Sequence, residues 1–387
     1  MRFAEVYKLR TEKGLTVEEA ALMLGVHERT LRRWTRRYEE EGAEGLADLR
    51  FGKAAHNSAP VDEVIEVLTL FETHYKNFSI SHFYDKYRDV HGGERSYTWI
   101  KNRLHEAEYV KPAKKRGVHR RKRPRSPMKG MMLHQDGSTH EWVEGFMWDL
   151  IVTLDDADSE IYSAFFVEEE GTWSSFAGIK EVIQRYGLFC SLYTDRGSHY
   201  FYTPEAGGKI DRDRPTQFGR AMNQLGIDLI GAYSPEARGR SERMFGTLQN
   251  RLPKELKLAG ICDMESANKF LKEIFIPSFN KRFQIKAQEE VGAFVPWLNA
   301  NMNLDDILCI QDERTVNKDN TIRYDNKLLQ IPKNKYRWSY QKVKVRVNEY
   351  MDGSLGIFHG PRCLARYYAD GNLLENEMPA KQQQGIK

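Results

Sequence analysis

The sequence is poor in the residues that staple a fold together. Its four cysteines, Cys190, Cys262, Cys309 and Cys363, are scattered and form no CxxC pair. That excludes a disulfide framework and a zinc knuckle, and it suits a reducing compartment. His74, His82 and His91 precede the first cysteine, so a Cys/His zinc module is excluded there and packing or surface roles are expected. No apolar run approaches a membrane span, and Met1-Arg2-Phe3-Ala4-Glu5 has no apolar signal core. The expectation is a soluble, cytoplasmic protein with no membrane partner. A net charge of +4 says little about partners by itself.

What is present points to several folded domains. A hydrophobic content of 40% with 12% aromatics supports packed cores rather than disorder. At 387 residues the chain exceeds one ordinary core, and roughly two to four domains are expected. Charge is unevenly placed: Lys111, Lys114, Lys115, Arg116, Arg120, Arg121, Lys122, Arg123, Arg125 and Lys129 follow one another with no acid between them. Pro112, Pro124 and Pro127 make this run extended rather than helical. It reads as a phosphate-tracking strap or as a solvated interdomain linker.

Ahead of that run, residues 3–34 read as short amphipathic helices. Thr16 with Glu19 three residues on makes a capping box, Ala20, Ala21 and Leu24 give an apolar stripe, and Gly25 ends the helix. A basic helix follows from His27, with Leu31 and Trp34 facing inward. The pair resembles a helix-turn-helix, whose second helix enters the DNA major groove. Here that helix offers Arg29, Thr30, Arg32, Arg33 and Arg36. A plain three-helix bundle with a solvated basic face is the other reading. Leu46–Pro60 looks like a linker. Three more helices are expected over Val61–Tyr75, Ser79–Val90 and Ser96–Glu108, either a second DNA-binding unit offering Lys101 and Arg103 or a structural bundle.

From Met131 the hydrophobic period changes to that of strands. Met131–Gly137, Phe146–Leu154 and Ile161–Val167 read as three antiparallel strands joined by polar turns, Thr139–Gly145 and Asp155–Glu160. A helix over Thr172–Tyr186, a strand over Leu188–Thr194, a helix over Thr216–Leu225 and a strand over Ile227–Ala232 follow. That order is the one found in a ribonuclease-H-like α/β core, a mixed sheet with helices on both faces. Asp136 lies near the end of the first strand, Asp195 ends the fourth, and Glu242 opens the helix after the fifth. Mg²⁺ takes oxygen ligands and keeps positions open for water and phosphate, so three carboxylates suffice. Asp149, Asp155, Asp156 and Asp158 are rival acids, and the last three are expected to be solvated in their turn.

The helix itself separates Glu242 from its packing residues. Met244, Phe245, Leu248, Leu252 and Leu256 form an apolar stripe, and at about 100° per residue Glu242 lies some 200° from Met244. Gly246 and Gln249 share its face. A first-turn Glu also complements the helix dipole. The nearby Arg238, Arg240 and Arg243 suit a DNA backbone better than simple capping.

Gln135-Asp136-Gly137, Tyr193-Thr194-Asp195-Arg196-Gly197 and Ser234-Pro235…Gly239-Arg240-Ser241-Glu242-Arg243 resemble the DDE motifs of retroviral-integrase-type transposases. The run from Arg238 to Leu252 is similar to the insertion-sequence group called ISNCY. The sequence departs from the common pattern at Arg196, where Asn is frequent, and at Gln249, where a basic residue is frequent. The resemblance implies Asp136, Asp195 and Glu242 as a catalytic, metal-binding triad using two Mg²⁺ ions, with Mn²⁺ able to substitute. It implies a DNA transposase acting on double-stranded DNA, both element terminal repeats and target, as a homo-multimer in a bacterial cytoplasm at the nucleoid. A DNA-binding regulator with lapsed catalysis and a structure-selective nuclease are the competing readings.

The expected organisation is multidomain. A helix-turn-helix domain spans 1–50, a second helical domain 60–110, a basic linker 111–129 and the ribonuclease-H-like core 130–285. Beyond a helix over Ala267–Phe283, five short strands from Ile322 to Tyr367 are expected to form a small β-barrel over 315–370. Lys333, Lys335, Arg337, Lys342, Lys344 and Arg346 suit it to DNA or partner contact, and oligomerisation is the other role.

Overall fold

A computed structural model describes residues 2–48, 59–112, 123–204, 208–211, 213–232, 239–298, 303–333 and 337–374. The chain divides into two compact units, Met1–Lys76 with Tyr87–Pro112, and Asn77–Lys86 with Ala113–Lys387.

The first unit is helical. Helices α1 (Phe3–Lys13), α2 (Val17–Leu24) and α3 (Glu28–Glu41) pack around Val6, Ala20, Ala21 and Leu31. The Thr16 capping box starts α2, and Gly25, at φ 67°, turns the chain toward α3 in a conformation that suits glycine. His27 caps α3 by accepting from the Arg29 N–H at 3.2 Å. Beyond α3 lie α4 (Val61–His74), then α5 (Ile80–Asp89), most of which belongs to the second unit, and α6 (Tyr97–Glu106). Ser96 caps α6, and α4 and α6 bury Val67, Phe71, Ile100 and Leu104. Most of the expected linker falls outside the described residues.

The second unit is built on a five-stranded sheet of β1 (Met132–Val143), β2 (Phe146–Asp155), β3 (Ile161–Val167), β4 (Ser191–Thr194) and β5 (Asp228–Gly231), in the order β3-β2-β1-β4-β5. The first three strands run antiparallel, while β4 and β5 run parallel to β1. Helices α7 (Thr172–Tyr186) and α8 (Gln217–Leu225) cover one face with Phe176, Ile179, Val182, Phe218 and Met222 against Leu133 and Leu192. Helices α9 (Gly239–Leu258), α10 (Met264–Phe270) and α11 (Ile276–Phe283) cover the other. There Leu248, Leu252, Leu271 and Phe279 pack on Leu150, Val152 and Leu154. A π-helical turn over Leu271–Phe275 joins α10 to α11, so the single helix expected there is continuous but locally underwound. This is the mixed α/β sheet with helices on both faces that the element order predicts.

Two expectations need correction. The polar stretch Thr139–Gly145 is not a turn: β1 runs on to Val143, paired with β2, and the connection is Glu144 and Gly145 alone. Gly145, at φ 86°, makes that tight reversal, and the Trp142 indole is wholly buried with its N–H on the Ser138 and Trp148 carbonyls. At the C-terminus, β6 (Ile310–Thr315), β9 (Lys344–Glu349), β10 (Leu355–His359) and β11 (Arg362–Tyr367) form an open sheet ordered β11-β10-β9-β6. Strands β7 (Thr321–Tyr324) and β8 (Lys327–Gln330) form a separate hairpin sharing its core through Ile322 and Leu329. Among the described residues these ladders do not close into a barrel.

Candidate active site

The neighbouring strands β1 and β4 lead to the two aspartates. In the β1–β4 ladder, Met132 faces Ser191, Leu133 faces Leu192 and His134 faces Tyr193. The ladder ends there: Asp136 follows two residues later within β1, and Asp195 stands just past the end of β4. Within β1, Asp136 shares a side with His134 and Ser138, because alternate residues of a strand share a side. His134 and Tyr193, two positions earlier, meet with ring centroids 5.1 Å apart. Two positions later, Ser138 accepts from Gln249 of α9. Asp136 is buried, and Asp195 is half-buried at the mouth of the β4 loop with its Oδ1 accepting from the Gly197 N–H at 2.8 Å.

Helix α9 carries Glu242 to the same edge. Its apolar stripe joins the core that holds Trp142 of β1 and Leu150, Val152 and Leu154 of β2, and of the strands the helix lies nearest β1. Glu242 and Gln249, seven residues apart, point the same way on one flank of that stripe, while Arg240 lies on the other flank. Gln249 Nε2 donates to Ser138 Oγ at 2.9 Å. Glu242 is two turns, about 10 Å, before that bond, where β1 presents His134 and Asp136. The Glu242 side chain is exposed, and the space beside Gly246 on its flank is open. Among the described residues no three acidic, imidazole or thiol groups are already closed into a metal cage. Glu242 is exposed on the flank of α9 whose Gln249 reaches β1.

The opposite face of β1 is fixed by a polar cluster that the sequence did not reveal. Gln135 Nε2 donates to Thr153 Oγ1 at 3.1 Å and to the Ser175 carbonyl at 3.2 Å, and its Oε1 accepts from the Tyr200 hydroxyl at 3.1 Å. Burial pushes the Tyr200 phenol well above its usual range, and the charges of Glu170, Asp136 and Asp195 push it the same way. It therefore stays protonated and keeps donating. Gly137 leaves room for the Glu170 carboxylate: a Cβ there would stand 2.2 Å from Glu170 Oε2. His199 Nε2 lies 3.5 Å from Glu170 Oε1.

Asp155, Asp156 and Asp158, expected to be solvated, are all fully buried. The turn folds back on the chain, and each carboxylate is enclosed by donors. Asp155 accepts from the N–H groups of Gly130 and Ala157, and burial still pushes its carboxyl up to about 6. Asp158 accepts from Gln284 Nε2 and pairs with Lys129 at 2.9 Å. Asp156 accepts from His134, Arg123, Arg240 and Ser126. Burial opposes its charge, but those donors outweigh burial and hold the carboxyl well below its usual range. The imidazole Nε2–H must therefore be the donor in the His134 contact.

Several expected DNA contacts are engaged within the chain. Arg240 bonds Asp156 and the Arg123 carbonyl and is mostly buried, so it is a structural clasp rather than an open phosphate ligand. Arg123 also bonds Asp156 but stays partly exposed. Exposed Arg243 donates to the Gly239 carbonyl. On α3, Arg29, Arg32, Arg33 and Arg36 are exposed and Thr30 half-buried, with Arg32 and Arg36 paired to Glu28 and Glu40. Lys101 is exposed, and Arg103 pairs with Glu106. Lys114, Lys115, Arg116, Arg120, Arg121, Lys122 and Arg238 lie outside the described residues. No described helix is long and apolar enough to cross a membrane.

Comparison with known proteins agrees with this architecture. A homeodomain-like domain model matches residues 4–47, covering α1 to α3. The chain is 28% identical over 355 residues to the putative transposase y4bF of Sinorhizobium fredii (strain NBRC 101917 / NGR234), covering 91% of this chain and 77% of that protein. It is 26% identical over 413 residues to the transposase for insertion sequence IS1202 of Streptococcus pneumoniae, covering 97% and 87%. The magnesium complex of the HTLV-2 integrase catalytic core domain, in its dimeric form, aligns with 38% of this chain and 84% of its own, at 15% identity and a TM-score of 0.29. That last likeness is too slight to add to the strand order. With similarity to transposases running along most of its length, a match to a homeodomain-like domain at its N-terminus and a mixed α/β core, the chain resembles insertion-sequence transposases.

Proposed function

We propose that the chain binds the ends of its element, cleaves a strand there to free a 3′-OH, and joins that 3′-OH to target DNA. Asp136, Asp195 and Glu242 are the catalytic carboxylates of this reading. The observation that supports it is the pairing of His134 with Tyr193, each two residues before one of the aspartates, together with the Gln249–Ser138 bond that sets α9, the helix of Glu242, against β1. An all-oxygen donor set of this kind fits Mg²⁺, with Mn²⁺ as a substitute. Two bound ions would supply charge neutralisation at the scissile phosphate and a more acidic attacking water. The chain's own part is to hold the carboxylates: the Gln135 network fixes β1 beneath Asp136, the Gly197 N–H orients Asp195, and the Gln249–Ser138 bond sets α9 against β1.

Cleavage consumes one water, which displaces the 3′-oxygen of the scissile phosphodiester. The freed 3′-OH then attacks a target phosphodiester and displaces its 3′-oxygen, so the number of ester bonds is unchanged in this second step. The exposed face of α3, with Arg29, Arg32, Arg33 and Arg36, is proposed to read the terminal repeats in the major groove. Two ends must be brought together, which calls for a multimer on DNA.

The test uses purified full-length protein, a duplex carrying the element end, and a supercoiled plasmid. Mg²⁺-dependent nicking that leaves a 3′-OH, followed by joining to the plasmid, is expected. Tight end binding without cleavage in Mg²⁺ or Mn²⁺ would favour a DNA-binding regulator, and cleavage without joining a nuclease.

A further inference from the structure

His134, Tyr193 and Arg240 each stand two residues before one of the proposed catalytic carboxylates, Asp136, Asp195 and Glu242. All three lead to one buried side chain. His134 Nε2–H donates to Asp156 Oδ1 at 2.8 Å, and Arg240 bonds the same oxygen. Arg123 bonds it too, and its guanidinium carbon lies 5.9 Å from the Tyr193 ring centroid. Ser126 occupies the other oxygen with its N–H at 2.7 Å and its hydroxyl at 3.0 Å. Arg240 also donates to the Arg123 carbonyl at 2.9 Å, and Arg125 to the Asp156 carbonyl at 2.9 Å.

We propose that Asp156 is the positioning residue of the active site, a single anchor that sets the relative placement of Asp136, Asp195 and Glu242. On β1 a residue two positions away is the next one on the same face, so holding His134 fixes the height and tilt of Asp136, while Tyr193 and Thr194 end β4 and lead directly to Asp195. On α9 the logic is rotational. Arg240 and Glu242 lie on opposite flanks of the apolar stripe, so tethering Arg240 to the β2–β3 turn sets the roll of the helix and turns the Glu242 flank toward β1. The Gln249–Ser138 bond holds that same flank two turns later.

The charge matters as well as the shape. One carboxylate faces two guanidinium groups in a place where the carboxylate itself has no solvent exposure. Without it, Arg123 and Arg240 repel each other beside the first turn of α9. The anchor also joins Arg123, Arg125 and Ser126, in the C-terminal part of the basic run, to the helix bearing Glu242. This inference rests on the proposed catalytic role of the three carboxylates.

The experiment compares Asp156→Asn and Arg240→Gln with wild type and Asp136→Asn in full-length protein. Measured are single-turnover nicking of end DNA against Mg²⁺ concentration, end-DNA affinity without metal, and thermal unfolding. Arg240→Gln cuts only the α9 limb and leaves Asp156 with its other donors, so it decides the matter if Asp156→Asn does not fold. The expected result is nicking about 10- to 100-fold slower at limiting Mg²⁺, partly restored by excess Mg²⁺, with end-DNA affinity retained. A folded Arg240→Gln with wild-type rate and Mg²⁺ dependence overturns the inference. So does a rate loss matched by an equal loss of end-DNA binding. If wild type itself does not nick, or Asp136→Asn nicks as well as wild type, the catalytic reading fails, and this inference falls with it.

Discussion

Gln249 Nε2 donates to Ser138 Oγ at 2.9 Å, tying the middle of α9 to the strand that carries Asp136. This bond accounts for a neutral amide where related motifs have a basic residue: at this position the side chain faces β1. Gln249→Leu leaves the Ser138 hydroxyl without this partner and should cost about 1 kcal/mol in denaturant unfolding. The same change should slow nicking severalfold by loosening α9. Unchanged stability and rate would show that the bond does not set the helix.

Gly178 on α7 supports the other face of β1. A Cβ there would meet Gln135 Nε2 at 2.5 Å, and that amide is buried and held by Thr153, Ser175 and Tyr200. Helix propensity alone favours Ala over Gly by about 1 kcal/mol. Gly178→Ala should nevertheless destabilise the protein by roughly 1–3 kcal/mol, because the Gln135 network has to shift. Stabilisation by this substitution would mean that the network yields freely.

Glu255 on α9 gives a pH prediction. It bonds His82 Nε2 at 2.6 Å and Lys86 Nζ at 2.7 Å. Burial raises its carboxyl, but these two donors outweigh burial and hold it below the usual carboxylate range. A depressed carboxyl binds fewer protons folded than unfolded, so its stabilisation is full above the unfolded value of about 4.3 and is lost as pH falls below it. Urea unfolding of Glu255→Gln should therefore show a shallower loss of stability below that pH than wild type. An acid limb of the same slope would contradict the assignment.

On α3, Arg33→Ala should weaken binding to element-end DNA and reduce the slope of log affinity against log salt by about 1 if the residue meets a phosphate. Fluorescence anisotropy over a salt series measures both. An unaltered slope with loss of sequence preference would instead place Arg33 on a base edge.

Much of this fold is legible in the sequence because its signals are local. The Thr16–Glu19 box, the helix Thr172–Tyr186 and the stripe Met244 to Leu256 are each written in a few consecutive residues. Asp195 directly follows the end of β4 as expected, but Asp136 lies inside β1, which continues to Val143. What escaped depends on distant residues meeting. Asp155, Asp156 and Asp158 have the composition of a solvated turn, and only the return of residues 123–130 and α9 buries them. Strand β6, Ile310–Thr315, carries almost no apolar alternation and is recruited by pairing with β9. Trp142 in a polar stretch was the one local hint that β1 continues.

The most direct test of the central claim is end nicking by Asp136→Asn, Asp195→Asn and Glu242→Gln beside wild type, each checked for folding and for end-DNA affinity. The account predicts that all three bind end DNA as wild type does and that none produces a detectable nick in Mg²⁺. Wild-type nicking by any of the three would contradict it.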